Sequence, residues 1–321
     1  MTTGTKSVIG AIAWLAFVFA ARTSPLGPAW TEVLITFAAL VLVPLVLDLV
    51  SEHRDTGKLG RATGWAVRAQ LPAAAMLALA CGLKPGLLAL LCAIPWAAVL
   101  ALLATVGLGR VLRDGWSRPL DRLATDFGLM YALVGAIWVL ADRGGLRPLG
   151  FDPQVVALTA AHFHFAGMLL PVFAGLVLRQ APDSRFAARA VVGVVLGVPA
   201  VAVGITATQL GWTPAIEAAA GCGLALSGIA VGILHVRCAI DAHDVTIVPR
   251  VLMGIAGVSL FFAMLLAGSY AVRAFLVPLP WLGLPQMRAI HGTVNALGFG
   301  LCGTLGWWRF ARRETPLAGA A

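Results

Sequence analysis

Charge is scarce in this chain. Asp, Glu, Lys and Arg make up 12 % of its 321 residues, about half the roughly 25 % usual for a soluble domain. The few charges sit in short clusters between long apolar runs, which excludes a soluble domain of any size. Cysteine is sparse as well. The five residues, Cys81, Cys92, Cys222, Cys238 and Cys302, form no C-x-x-C pair and lie mostly inside apolar runs. Nothing there supports a disulfide framework or a zinc site, and they read as small packing residues. The chain has no Gly-Lys-Ser phosphate loop and no nucleophile elbow, so nothing supports ATP-driven or serine-hydrolase chemistry. It also lacks a long linker, a low-complexity tract and a convincing internal repeat. The missing repeat weighs against a secondary transporter.

What is present is apolar surface, 60 % of the residues, together with 36 Gly. A run of about 20 mostly apolar residues crosses the hydrocarbon core. Inside lipid each backbone group must be satisfied within its own segment, so such runs become helices. Ten runs qualify: 8–22, 30–50, 66–82, 86–109, 123–141, 154–178, 188–208, 214–236, 250–275 and 286–311. The expected fold is therefore an all-α, polytopic helical bundle filling 1–321 as a single transmembrane domain. The small residues allow close helix approach. Lys6 precedes the first run, but no clean small-residue cleavage site follows it and a second run comes at once. It reads as a retained helix and not a signal peptide.

Of the 23 Lys and Arg, 17 fall on the side of the N-terminus in this topology and six on the other. The positive-inside rule then puts both termini in the cytoplasm of a multi-pass cell-membrane protein. The net charge of +9 suits anionic lipid at that face and requires no nucleic acid.

Ionisable residues within membrane spans are costly, and each is a candidate for function. The alternating topology brings Glu32, His162, His164, Glu217, Tyr270, Arg273, Arg288, His291 and Asn295 into the outer half of the bundle. Asp126 and His235 fall near the cytoplasmic face, where Asp126 is placed to pair with Arg122 and His235 to sit at the interface. His53 and His243 belong to loops. Arg288, His291 and Asn295, at i, i+3 and i+7, share one helix face. That face is too polar for lipid and should line a cavity or the bundle interior. His162 and His164, at i and i+2, differ by about 200° around a regular helix and cannot converge on one metal. Each residue also has a plain structural reading. An intramembrane His often joins helices by hydrogen bonds, Glu32 and Glu217 lie close to span ends, and Arg273 can snorkel.

Two segments carry a family resemblance: Ala161-His-Phe-His-Phe-Ala-Gly-Met-Leu-Leu-Pro-Val-Phe-Ala-Gly-Leu176 and Met287-Arg-Ala-Ile-His-Gly-Thr-Val-Asn-Ala-Leu-Gly-Phe-Gly-Leu301. Together they resemble the characteristic segments of the YndJ-like bacterial membrane proteins. That resemblance implies a membrane protein and names no chemistry. The His-Phe-His unit also resembles, over a short stretch, the haem–copper oxidase subunit I helix whose two histidines serve different haems. The chain departs from that family in having no adjacent His pair and no His-Pro-Glu-Val-Tyr segment.

The residues themselves favour an intramembrane enzyme performing non-redox acid–base chemistry, isomerisation or cyclisation, on a lipophilic small molecule. In this reading His162 or His164, with His291, act as acid and base. Glu217 or Glu32 orients or protonates, Tyr270 completes the polar set, and Arg288 and Asn295 hold a developing oxyanion. No cofactor is needed. The alternatives are a haem or metal protein ligated through His162, His164 and His291, a proton-coupled transporter, and a structural subunit whose polar residues join helices.

Overall fold

The computed structural model describes residues 1–51 and 55–312. Among them the elements are helical, and no strand occurs. His53, placed in a loop from the sequence, lies outside the described residues. Nine helices are long and apolar enough to cross a membrane. They are α1 (Thr3–Ala21), α2 (Trp30–Val50), α3 (Gly57–Gly82), α4 (Leu87–Asp114), α5 (Leu120–Arg143), α6 (Pro153–Gln180), α7 (Arg185–Gln209), α8 (Ala215–Asp241) and α9 (Ile247–Ala271). A further helix, α10, occupies 284–312. It packs along α9 and α2 but carries Arg288, His291 and Asn295 in its first turns. Those polar residues dilute its apolar character.

The helices follow the apolar runs and overshoot several of them. α1 begins at Thr3, where Thr2 caps it by accepting from the Thr5 amide. α3 begins at Gly57, well ahead of its apolar stretch. Such polar extensions hold a helix in the headgroup region, where side chains meet water and lipid phosphate.

Two helices form the centre. In α2 and α6, 89 % of the most apolar stretch is buried, whereas no other spanning helix exceeds 56 % and α1 reaches 17 %. The main apolar core draws on buried residues of α2 to α10, with Ala11 and Trp14 of α1 packed against it. Both central helices widen into π turns, at Ala38–Leu42 and Phe163–Leu169, and each π turn is followed within two residues by a proline, Pro44 or Pro171. A proline ring clashes with the carbonyl four residues earlier and has no N–H to offer it. A wider turn ahead of the proline relieves that clash. In α2 the neighbouring helices supply donors to other carbonyls of the same wide turn. Ser7 Oγ donates to the Val41 carbonyl at 2.8 Å and Gln70 Nε2 to the Ala39 carbonyl at 2.6 Å. The Leu40 carbonyl faces Gly10 of α1 so closely that a Cβ there would stand 1.9 Å from the oxygen. Gly10 is therefore the residue that lets α1 dock on the wide turn of α2.

At the end of the bundle that holds the chain's N-terminal residue, a buried ionic network joins α4 and α5. Asp126 is fully buried. It accepts from Arg118 Nε at 2.5 Å and Arg110 Nη1 at 3.3 Å, and Arg110 also binds Asp55. The expected partner Arg122 is replaced by Arg110 and Arg118. Arg110 lies on the adjacent helix, and Arg118 lies in the turn before α5, where the chain doubles back over Asp126.

Candidate functional site

A cavity of about 260 Å³ opens between α2, α6, α7, α8, α9 and α10 at the end of the bundle opposite the Asp126 network. Its deeper wall is apolar, with Phe165, Leu170, Leu224, Leu260, Met264 and Phe299 among its lining. Its polar wall holds His162, Glu217, Tyr270, Arg273, Arg288, His291 and Asn295. Seven of the nine candidate residues placed in the outer half from sequence therefore meet in one cavity. Glu32 and His164 do not.

The His-Phe-His unit shows why. It lies where α6 passes from regular helix into its π turn. His162 lines the cavity, and its buried Nε2 has no hydrogen-bond partner. His164 points into the protein at 1 % exposure. Its Nδ1 lies 2.8 Å from the Ala160 carbonyl, and its Nε2 accepts from Trp96 Nε1 at 3.0 Å. A carbonyl can only accept, so Nδ1 carries the proton and both nitrogens are engaged. His164 thus offers no free nitrogen to a substrate, a metal or a haem iron.

His291 is also fixed in one tautomer. Its Nδ1 donates to the Ala263 carbonyl at 2.9 Å, and its Nε2 accepts from Asn295 Nδ2 at 3.2 Å. Asn295 Nδ2 is shared with the His291 carbonyl at 3.0 Å. The pair binds α10 to α9 and presents a neutral imidazole edge to the cavity. A second bond, Trp30 Nε1 to Thr293 Oγ1 at 2.9 Å, holds the same stretch of α10 against α2.

Arg288 is 4 % exposed. Its Nη2 donates to the Leu26 carbonyl, while Nε and Nη1 are buried without a partner. At the mouth, Arg273 Nη2 binds Glu217 Oε1 at 2.8 Å, and its guanidinium lies over the Tyr270 ring, 4.2 Å from the centroid. The charge of Glu217 is thus matched locally. Glu32 is held behind the wall by Arg143 Nη2 at 3.0 Å, and the same nitrogen binds Asp142 at 2.6 Å.

His235 is not interfacial as expected. It is fully buried, accepting from Trp307 Nε1 at 3.1 Å with its Nδ1 2.9 Å from the Val231 carbonyl. Arg143 escaped the sequence reading because its place at the end of α5 makes it look like a loop charge. The apolar lining residues carry no signal of their own beyond sharing helices with the polar ones. Among the described residues no group of three or more His, Cys, Asp or Glu side chains could hold a metal ion.

This architecture is that of a multi-pass α-helical membrane protein with a polar-ended internal cavity. The chain belongs to the YndJ-like protein family, whose model matches residues 33–299 and so takes in every residue of the cavity's polar wall. It is similar to the uncharacterized membrane protein YndJ of Bacillus subtilis (strain 168), with 29 % identity over 202 residues. That match covers 60 % of this chain and 34 % of the relative, so it spans about a third of the relative's length. No solved structure matches.

Proposed function

We propose that the cavity is the active site of a membrane-embedded enzyme that moves a proton on a lipophilic substrate, in an isomerisation or cyclisation. One observation carries the reading: His162 brings a buried, unpartnered Nε2 into a mostly apolar chamber that also holds the unpartnered Nε and Nη1 of Arg288. An imidazole is the side chain best suited to take and return a proton near neutral pH. In the proposed step His162 Nε2 removes a proton from a C–H group of the substrate. The electron pair moves toward a polar atom stabilised by the Arg288 guanidinium, and the proton returns at a second carbon. His291 acts here as a positioned neutral polar edge and not as the base, because both of its nitrogens are occupied. Glu217, Tyr270 and Arg273 shape the mouth. His164 and Glu32 are structural in this reading.

The test is proton exchange. Membranes carrying the protein are incubated in heavy water with a lipid extract, and lipophilic species are screened by mass spectrometry for carbon-bound deuterium. The expected result is a species labelled only with the intact protein and not with His162→Ala. Labelling that is unchanged in His162→Ala, or absent with the intact protein, would overturn the proposal.

A further inference from the structure

The proposed proton transfer gives Arg288 a developing charge to stabilise but does not say what compensates its own buried charge. Burying a guanidinium is costly unless charge or hydrogen bonds compensate it, the more so at membrane depth. Here a single backbone carbonyl, that of Leu26, accepts from Nη2, while the buried Nε and Nη1 have no acceptor. Glu32, on the adjacent α2, has its Oε1 on Arg143, and its buried Oε2, which has no hydrogen-bond partner, is not within ion-pair distance of Arg288. No ion pair joins Arg288 to a carboxylate among the described residues. The second cation of the cavity differs in just this respect, since Arg273 is paired with Glu217 and stacked on Tyr270. Arg288 therefore has donor capacity to spare toward an acceptor that enters the cavity.

The remaining wall defines what that acceptor is attached to. Beyond the polar end the chamber is lined by Phe165, Leu170, Leu224, Leu260 and Phe299, which favour hydrocarbon and exclude a strongly hydrated ion moving deeper. A volume of about 260 Å³ is at the small end of ligand pockets, which run from about 300 Å³ upward. It suits a head and the first part of one chain, and not the body of a two-chain lipid. We infer that the cavity takes a single-chain amphiphile with an anionic carboxylate or phosphate head, the head on Arg288 and the chain against the Phe165–Phe299 wall. This rests on the proposed active site being the same chamber, and it names the substrate class for it. Arg288 is the head-binding residue, in the geometry a guanidinium offers such oxyanions.

The experiment is a binding series on the intact protein in neutral detergent. It uses alkyl phosphate, alkyl carboxylate, the alcohol of equal chain length, and inorganic phosphate, read by thermal shift and competition. The expected result is that both anionic amphiphiles bind at least about tenfold more tightly than the alcohol, the range of a charge-assisted hydrogen bond. Arg288→Gln should bring them level with the alcohol, and Arg288→Lys should restore part of the gap. Equal binding of alcohol and anions by the unaltered protein would overturn the inference without any variant. Binding of inorganic phosphate as tight as that of alkyl phosphate would also overturn it, assigning the site to a free anion. Anion preference with no His162-dependent deuterium labelling would leave this inference standing and remove the acid–base reading. The converse pattern would do the reverse.

Discussion

Trp96 gives its indole N–H to His164 Nε2 at 3.0 Å, clamping α4 to α6, while His164 returns its own proton to the carbonyl of Ala160 one turn back. Trp307 and His235 repeat the arrangement between α10 and α8. Each clamp satisfies a buried indole and a buried imidazole at once. Each also consumes the histidine, whose lone pair is then closed to chemistry.

Replacing His164 by Ala should therefore lower stability and leave the cavity's binding intact. The expected cost is about 1–2 kcal/mol, between the average for polar contacts in membrane bundles and the cost of a buried donor left unsatisfied. Equilibrium unfolding in detergent measures it. The double variant with Trp96→Phe should recover part of the loss, because it removes the orphaned indole N–H. Loss of ligand binding at unchanged stability would refute the structural role.

His162→Ala should behave in the opposite way. Heavy-water labelling should fall by about 10²–10⁴, the usual contribution of a positioned acid–base group. Stability should change less than in His164→Ala, because no hydrogen bond to His162 Nε2 is broken. Parallel labelling and unfolding runs on the two variants give the comparison directly.

Arg143 and Glu32 should prove unequal partners. Arg143→Gln strands two largely but not fully buried carboxylates, Glu32 and Asp142, whereas Glu32→Gln leaves Arg143 still bound to Asp142 at 2.6 Å. Losing the cation should cost about 3–5 kcal/mol, the range for breaking a buried ion pair, and Glu32→Gln clearly less. Similar unfolding midpoints for the two variants would contradict this.

Gly10→Ala should loosen α1. Its new methyl group would press on the Leu40 carbonyl, and a backbone oxygen cannot rotate out of the way. The expected cost is about 1–3 kcal/mol, as for other overpacked contacts, with protease cutting near Arg22 increased. Gly223→Ala, at a position with nothing within 4 Å of a new Cβ, is the control that should change little.

Most of this fold was legible because lipid makes helices out of apolar runs, and the alternation of ten runs fixes which span ends lie together. That alone brought Glu217, Tyr270, Arg288, His291 and Asn295 to one end. The i, i+2 spacing of His162 and His164 likewise announced that they face apart. What the sequence could not say was which of the two faces the cavity, because that depends on where Trp96 stands on α4 and on Gly135 of α5, where a Cβ would stand 3.0 Å from His164 Nδ1. Glu32 looked like a site residue for the same reason: its partner Arg143 is 111 positions away in sequence and is brought near only by packing. The replacement of Arg122 by Arg110 and Arg118 at Asp126 is a similar case. Local spacing proposes an i−4 partner, and the turn before α5 supplies better ones.

The π turns of α10 occupy Met287–Gly292, which carries Arg288 itself, and Val294–Leu301, which leads into the Cys302–Arg312 half that holds Trp307 in its clamp. A regular helix turns about 100° per residue, so the over-wide stretch sets the azimuth of Arg288 against that of Trp307. Deleting one residue there with the winding otherwise unchanged would swing one end by about that angle. Either the guanidinium would leave the chamber or the indole would leave His235. The phase of this single helix is therefore a setting that no side-chain substitution can reproduce, and only a change in chain length between the two residues can reset it.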